Sequence, residues 1–196
     1  RFPISLFIEY GLNVRKLPFY GTTSSRGKKM RFDTTRFGQI DVKSEDIIIF
    51  PDGPLGFPDC TRFTFIDEDR AVPFRMLQSL DNPALAFVVV DPLIARSDYH
   101  FDVTRDDLKL IKTDSKENIL VYCIVTMSRN IHEVTVNLQG PLVINPSHRL
   151  GHQFVLVDTE YTTREKLIQN PEDIILEEAP QQSVSTKDEE LQKQAV

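Results

Sequence analysis

The sequence predicts an all-β domain: a small barrel-like roll of short antiparallel strands with one or two short helices. Three observations point there. Apolar residues fall in short runs, several with the strict alternation of a half-buried strand. Glycines and prolines, 8 and 12 in number, gather between those runs as turn signals. Only one stretch carries a helix-start signature, so helices cannot supply the bulk of the core.

Taken in order, residues 30–34 and 37–42 read as short strands joined around Thr35-Arg36. Residues 47–50 form an apolar run stopped by Pro51-Asp-Gly-Pro54, and the loop continues through Gly56-Phe57-Pro58-Asp59. A strand resumes at 62–66 with Phe63 and Phe65 on one face. Residues 73–80 fit either a strand or a single helical turn. Residues 85–90 are apolar and β-rich, and Asp91-Pro92 ends them. Residues 99–103 alternate, placing Tyr99, Phe101 and Val103 on one side. Thr104 then caps a short helix through Ile111: its hydroxyl can accept from the Asp107 amide, and first-turn acids suit the helix dipole. Residues 118–127 are the longest buried-strand segment.

The chain is organised around residues 134–145, two short strands broken at Gly140-Pro141. Val134, Val136 and Leu138 alternate with polar neighbours, whereas Leu142, Val143 and Ile144 read as a strand covered on both faces. Glycine opens backbone angles closed to other residues and proline donates no ladder hydrogen bond, so the pair suits a corner. Asn137 and Asn145 read first as local backbone hydrogen-bonding groups. A turn at 146–151 and a last strand near 152–157 complete the pattern, which fades beyond Tyr161.

Domain organisation follows: a basic extension over 1–29, a β domain over 30–165, and an acidic tail over 166–196 whose composition predicts disorder. Residues 1–29 carry +5, leaving −11 for residues 30–196 out of a total of −6. The regular pattern opens at Met30, so the leader is expected to be upstream sequence; the mass of the native N-terminus tests this, and an intact leader would reject it. An acidic body repels phosphates and disfavours direct nucleic-acid binding, while favouring a basic protein partner. No apolar run approaches the ~18 residues of a membrane span. Cys60 and Cys123 lie far apart without a Cys-x-x-Cys, which fits a reduced, cytoplasmic protein. Cys123 reads as a small hydrophobe in a strand and Cys60 as a surface thiol.

Catalytic signatures are not found. Gly53-Pro-Leu-Gly56 lacks the spacing and the Lys-Ser/Thr of a phosphate loop, and no Gly-x-Ser-x-Gly elbow occurs. His148 and His152 are spaced as zinc ligands can be, but they flank a turn without a Cys or acid at ligand spacing, and read as exposed hairpin histidines. Asp91, Asp98, Asp102, Asp106 and Asp107 supply carboxylates without a visible convergent pair. The chain is expected to be neither an enzyme nor a metal or cofactor binder.

Several segments in series resemble the flagellar assembly factor FliW family. They are Phe37-Gly-Gln-Ile40, Ile48-Ile-Phe-Pro-Asp-Gly-Pro-Leu-Gly-Phe57, Pro73-Phe-Arg-Met-Leu-Gln-Ser79, Leu85-Ala-Phe-Val-Val-Val-Asp-Pro92, Thr135-Val-Asn-Leu-Gln-Gly-Pro-Leu-Val-Ile-Asn145 and Arg149-Leu-Gly-His-Gln153, ending near Tyr161 and Arg164. Their order and spacing hold over about residues 30–165, with Gly140 where many relatives are expected to have Ala. The resemblance implies a cytoplasmic regulator with a β-barrel-like fold. Such a protein binds flagellin before export and also binds CsrA, the RNA-binding repressor of flagellin translation, so that the two exchange as partners. It also implies partner-binding positions within those segments: Phe37, Gly38, Gly53, Gly56, Phe57, Gln78, Ser79, Asp91, Pro92, Asn137, Pro141 and Asn145. Phe57 fits an exposed anchor as well as a core residue, whereas Phe74 and Phe87 read as core. A small-molecule-binding barrel is the alternative, and a hydrolase using the scattered carboxylates a third reading.

Overall fold

A computed structural model describes residues 28–67, 71–117 and 119–168. Eleven strands are present there: β1 (Lys29–Thr34), β2 (Gly38–Lys43), β3 (Ile48–Ile49), β4 (Arg62–Ile66), β5 (Arg75–Ser79), β6 (Ala86–Val90), β7 (Leu120–Thr126), β8 (Thr135–Val136), β9 (Leu142–Asn145), β10 (Leu150–Gln153) and β11 (Glu165–Lys166). Two helices, α1 (Pro92–Ala95) and α2 (Arg105–Leu110), lie between β6 and β7.

Seven strands close a barrel in the order β7-β6-β5-β4-β3-β10-β9, with β9 pairing back onto β7. All its neighbours are antiparallel except β3 with β10. β8 also pairs β7, and β11 pairs β8, so these two extend the sheet beyond the barrel. β1 and β2 form a separate hairpin. Closure leaves few open edges, which is how a chain of short strands avoids presenting unpaired backbone.

Alternation decides what fills the barrel. Phe63, Leu77, Val89, Leu142 and Ile144 turn inward with Phe50, and Phe65 joins them from the same face of β4. Gly151 is the inward residue of β10 opposite Phe50; a Cβ there would collide with the Phe50 ring, so only glycine admits it. Val143, on the other face of β9, packs under α2 with Ile111 and Phe154. A second core lies outside the barrel, where Phe74, Tyr99, Cys123, Val134, Val136 and Leu138 pack together.

The break at Gly140-Pro141 is a true corner. Val136 faces Val125 and Leu142 faces Tyr122, so six steps along one chain match three along β7. The opposite edge shows the same excess. Leu156 N–H donates to the Gln139 carbonyl while Gln139 N–H donates to that of Thr162, so residues 157–161 loop out. Pro141 has no N–H to give its neighbour but accepts from Phe154 N at 2.9 Å.

Several expectations are corrected. Residues 99–103 form no ladder, although their burial still alternates. The strand expected at 152–157 starts at Leu150, inside the expected turn, and its ladder ends at Gln153. Residues 134–138 shorten to β8, entered from a 3-10 turn at Ile131–Glu133. Residues 73–80 resolve as β5 because both neighbours offer ladders. α1 was hidden by reading Asp91-Pro92 as a stop only: the Asp91 carboxylate accepts from Leu93 N at 2.9 Å and Pro92 starts the turn. β11 follows the last expected strand, and Leu167 and Ile168 are core residues beyond the boundary set at 165. The Thr104 cap is as read, with Asp107 N donating to its hydroxyl at 3.1 Å and the Asp107 carboxylate accepting back. Cys60 is buried beside Phe50 and Phe63, not a surface thiol. Residues 1–27 and 169–196, the main part of the expected leader and tail, lie outside the described residues.

Candidate functional site

The loop of residues 51–60, between β3 and β4, projects apolar side chains from one end of the barrel. Gly53 N–H closes its first turn onto the Phe50 carbonyl at 3.0 Å. Its φ of 64° favours glycine, and a Cβ would strike the backbone of Phe57 and Pro58. Gly56, at φ 86°, lets Phe57 N–H return to the Pro54 carbonyl at 2.8 Å. The doubled-back loop leaves Leu55 60% and Phe57 37% exposed. The Phe57 ring meets Phe87 edge-on at 5.5 Å, Phe87 stacks on Phe63 at 6.1 Å, and Phe63 meets Phe50 at 5.4 Å. An aromatic column thus runs from the loop into the barrel, and the exposed ring stands on a fixed base.

Gln153 ties this loop to the corner. Its Oε1 accepts from Leu55 N at 2.8 Å, and its Nε2 donates to the Gly140 carbonyl at 3.1 Å. Gln153 is buried and its bond to Gly140 forms away from water, so removing the side chain strands that carbonyl and frees the part-buried Leu55 N–H. A Cβ at Gly140 would lie 2.8 Å from Asn137 Nδ2 and 3.0 Å from Gln153 Nε2. Alanine there would require both amides to yield, so this glycine leaves room for the tie. Asn137 N–H donates to the Ile124 carbonyl, and Pro141 is buried beside it. Sequence reasoning quoted Gln153 only as the end of a segment; its signal was a polar residue two places after Gly151, on the inward face of a strand.

Of the sequence-derived positions, Gly53, Gly56, Phe57, Asn137 and Pro141 come together here. The others do not. Phe37 and Gly38 sit at the tip of the β1–β2 hairpin, where Thr34 Oγ1 accepts from Phe37 N and donates to the Gly38 carbonyl. Gln78 and Ser79 are buried and hold the loop of residues 80–85: Gln78 Nε2 donates to the Ser79 and Leu85 carbonyls, and Ser79 Oγ accepts from Asp81 and Asn82 N–H. Thr35 N–H donates to the Pro83 carbonyl, linking that loop to the hairpin. Asp91 and Pro92 start α1. Asn145 is buried too, its Nδ2 donating to the Ile111 and Lys112 carbonyls and its Oδ1 accepting from Ser147 N. All three side chains are buried and bonded within the chain, with Gln78 Oε1 left without a partner among the described residues, so Gln78, Ser79 and Asn145 shape loops and do not face solvent. Phe74 is buried, and Phe87 is half-buried under Phe57.

Charge divides unevenly. Residues 28–168 carry −4 and residues 169–196 carry −5, so nearly half of the expected acidic body lies in the last 28 residues. Local ion pairs are structural. Burial opposes the charge on Asp81, but donors from Arg62 and Thr61 outweigh it and hold the carboxylate below its usual range. Burial, helped by the Asp91 charge and opposed by a hydrogen bond with Tyr99, pushes the Cys123 thiol up to about 12, leaving it a poor nucleophile. Among the described residues no three His, Cys, Asp or Glu side chains converge on a metal position. His148 is exposed on its turn, and His152 is half-buried with Nδ1 3.7 Å from the Asp52 carboxylate. Among the described residues no helix is long and apolar enough to cross a membrane. What this end of the barrel offers is a shaped apolar surface.

Comparison with known proteins agrees across sequence and structure. The family described as FliW protein matches residues 31–167. A flagellar assembly factor FliW of Geobacter sulfurreducens is 41% identical over 135 residues, covering 69% of this chain and 84% of that protein. The one from Natranaerobius thermophilus is 39% identical over 139 residues, covering 70% and 92%. The crystal structure of a flagellar assembly factor FliW superposes with a TM-score of 0.68 at 31% identity, covering 72% of this chain and 99% of the other.

Proposed function

The chain belongs to the FliW family of flagellar assembly factors, and from that premise we propose that it is a non-enzymatic, cytoplasmic regulator that works by holding other proteins. In this reading it binds flagellin before export, and it binds CsrA to relieve repression of flagellin translation. The exchange is competition: flagellin occupancy lowers the free factor, and its export releases factor to capture CsrA.

One observation carries the protein-holding reading. Leu55 and Phe57 are exposed on a loop whose geometry is fixed by two positive-φ glycines, an aromatic column and the buried Gln153 tie. An exposed aromatic on a rigid base loses little entropy when it is buried, which is what an interface anchor requires. The acidic balance favours encounter with a basic RNA-binding protein and makes its rate salt-sensitive. The small-molecule alternative gains no support from the barrel interior, which Phe50, Phe63, Leu77, Leu142 and Ile144 fill with side chains.

A competition assay tests the proposal. CsrA bound to its RNA should be displaced by this protein and should rebind the RNA when flagellin is added. Failure of the protein to bind either partner rejects the reading.

A further inference from the structure

We propose that the groove between residues 100–103 and 154–159 is a slot for one extended strand from another protein, apolar at alternate positions and carrying Lys or Arg. The proposal stands on this groove alone and does not depend on the functional reading above.

Two segments with strand character in the sequence flank a groove of about 420 Å³, and neither has a ladder facing it. On one wall, Tyr99, Phe101 and Val103 turn inward while His100 and Asp102 are exposed, the period of two that a strand shows. Among the described residues, the backbone N–H and C=O groups of 101–103 have no hydrogen-bond partner. On the other wall, Phe154 and Leu156 donate to the Pro141 and Gln139 carbonyls, which fixes an extended register on that edge. Alternate residues of a strand aim their N–H and C=O at opposite edges, so those of Val155, between the two bonded residues, face the groove. Val155 and Val157 both lack a backbone partner among the described residues. Their side chains are 57% and 76% exposed.

An unpaired edge beside exposed valines is a template for strand addition. Here two such edges line one groove, and the incoming strand is placed on the Val155 edge, whose register its bonded neighbours fix. Charge selects the occupant. Asp102, Asp107 and Asp158 line the groove and no Lys or Arg does, so an incoming strand gains by carrying positive charge. The chain's own residues 169–196, with seven acids against two lysines, would meet like charge there.

The test uses the full chain and the synthetic peptide acetyl-Lys-Val-Thr-Val-Arg-Val-Lys-amide. In the free protein the Val155 amide should exchange with solvent quickly, and saturating peptide should slow it more than tenfold. Val155→Pro removes the groove-facing donor while sparing the ladder donors of Phe154 and Leu156, and should weaken binding at least tenfold. Asp102→Asn, an exposed change that threatens no packing, should weaken binding severalfold and reduce its salt dependence. A peptide with Glu in place of Lys and Arg should not bind. Equal binding by Val155→Pro, or no binding of the basic peptide, overturns the proposal. Protection of Val155 in the free chain that disappears in an Ile174→Asp/Ile175→Asp variant would also overturn it, by assigning the slot to the chain's own C-terminal segment.

Discussion

On one side of Gly140-Pro141 the chain is sealed; on the other it is not. β9 is paired on both edges, by β7 and β10, and covered on both faces, by the barrel core and by α2. The segment that continues β10 past Gln153 is bonded along one edge and leaves Val155 and Val157 in solvent. The two regions are successive strands of one hairpin, joined by the turn after Asn145, and the corner at Gly140-Pro141 decides which part of the second strand finds a barrel neighbour. Full pairing produces stability, and interrupted pairing produces surface available to a partner.

The sharpest way to break this contrast is to truncate one apolar side chain on each side. Phe50→Ala should cost about 3–5 kcal/mol in urea unfolding, because the ring fills the barrel against Phe63 and Gly151. Val155→Ala should stay within about 0.5 kcal/mol. Similar values for the two would show that the barrel is not the stabilising half. Gln153→Leu comes next. It strands the Gly140 carbonyl and frees Leu55 N–H, so a loss of about 1–3 kcal/mol is expected by the same measurement. Partner affinity should also fall, because the loop loses its tie.

Phe57→Ala sharpens the contrast from the opposite direction. Its exposed ring should contribute about 1 kcal/mol or less to folding, yet its removal should weaken partner binding tenfold or more in calorimetry. Smaller still is the acid dependence of the 80–85 loop. The Asp81 pKa is depressed on folding, so its contribution is present above the ordinary carboxylate range and is lost as pH falls through the folded value. Asp81→Asn should therefore be less stable than the parent at pH 7, with the gap closing on acidification in parallel thermal melts. A gap that widens in acid would reverse the assignment.

Strands whose alternation is complete within the segment were legible: Phe63 and Phe65 share the inward face of β4, and the Leu142-Val143-Ile144 run is covered on both faces as read. The Thr104 cap was legible for the same reason, since its partner is three residues away. What sequence hid is non-local. Residues 99–103 have a strand's periodicity, but a ladder needs a neighbour that no local pattern reports. β11 is two residues long and exists because β8 offers it an edge. The site divides similarly. Gly53, Gly56 and Phe57 stand in one recognisable turn, whereas Gln153 gains its importance from a bond across 98 positions of chain. Gln78, placed among the partner-binding positions by its segment, is drawn inward by carbonyls that only the fold supplies, whereas Asn145 bonds backbone as its first reading expects, with Ser147 N–H as the local partner and the Ile111 and Lys112 carbonyls as distant ones.

The most direct measurement is an amide chemical-shift map of the intact protein titrated with flagellin. Binding by the apolar loop should move the signals of residues 53–57 and of neighbouring Gly140 and Gln153, while those of β5 and β6 inside the barrel stay in place. Shifts confined to the β1–β2 hairpin, or none at saturating flagellin, would contradict the account.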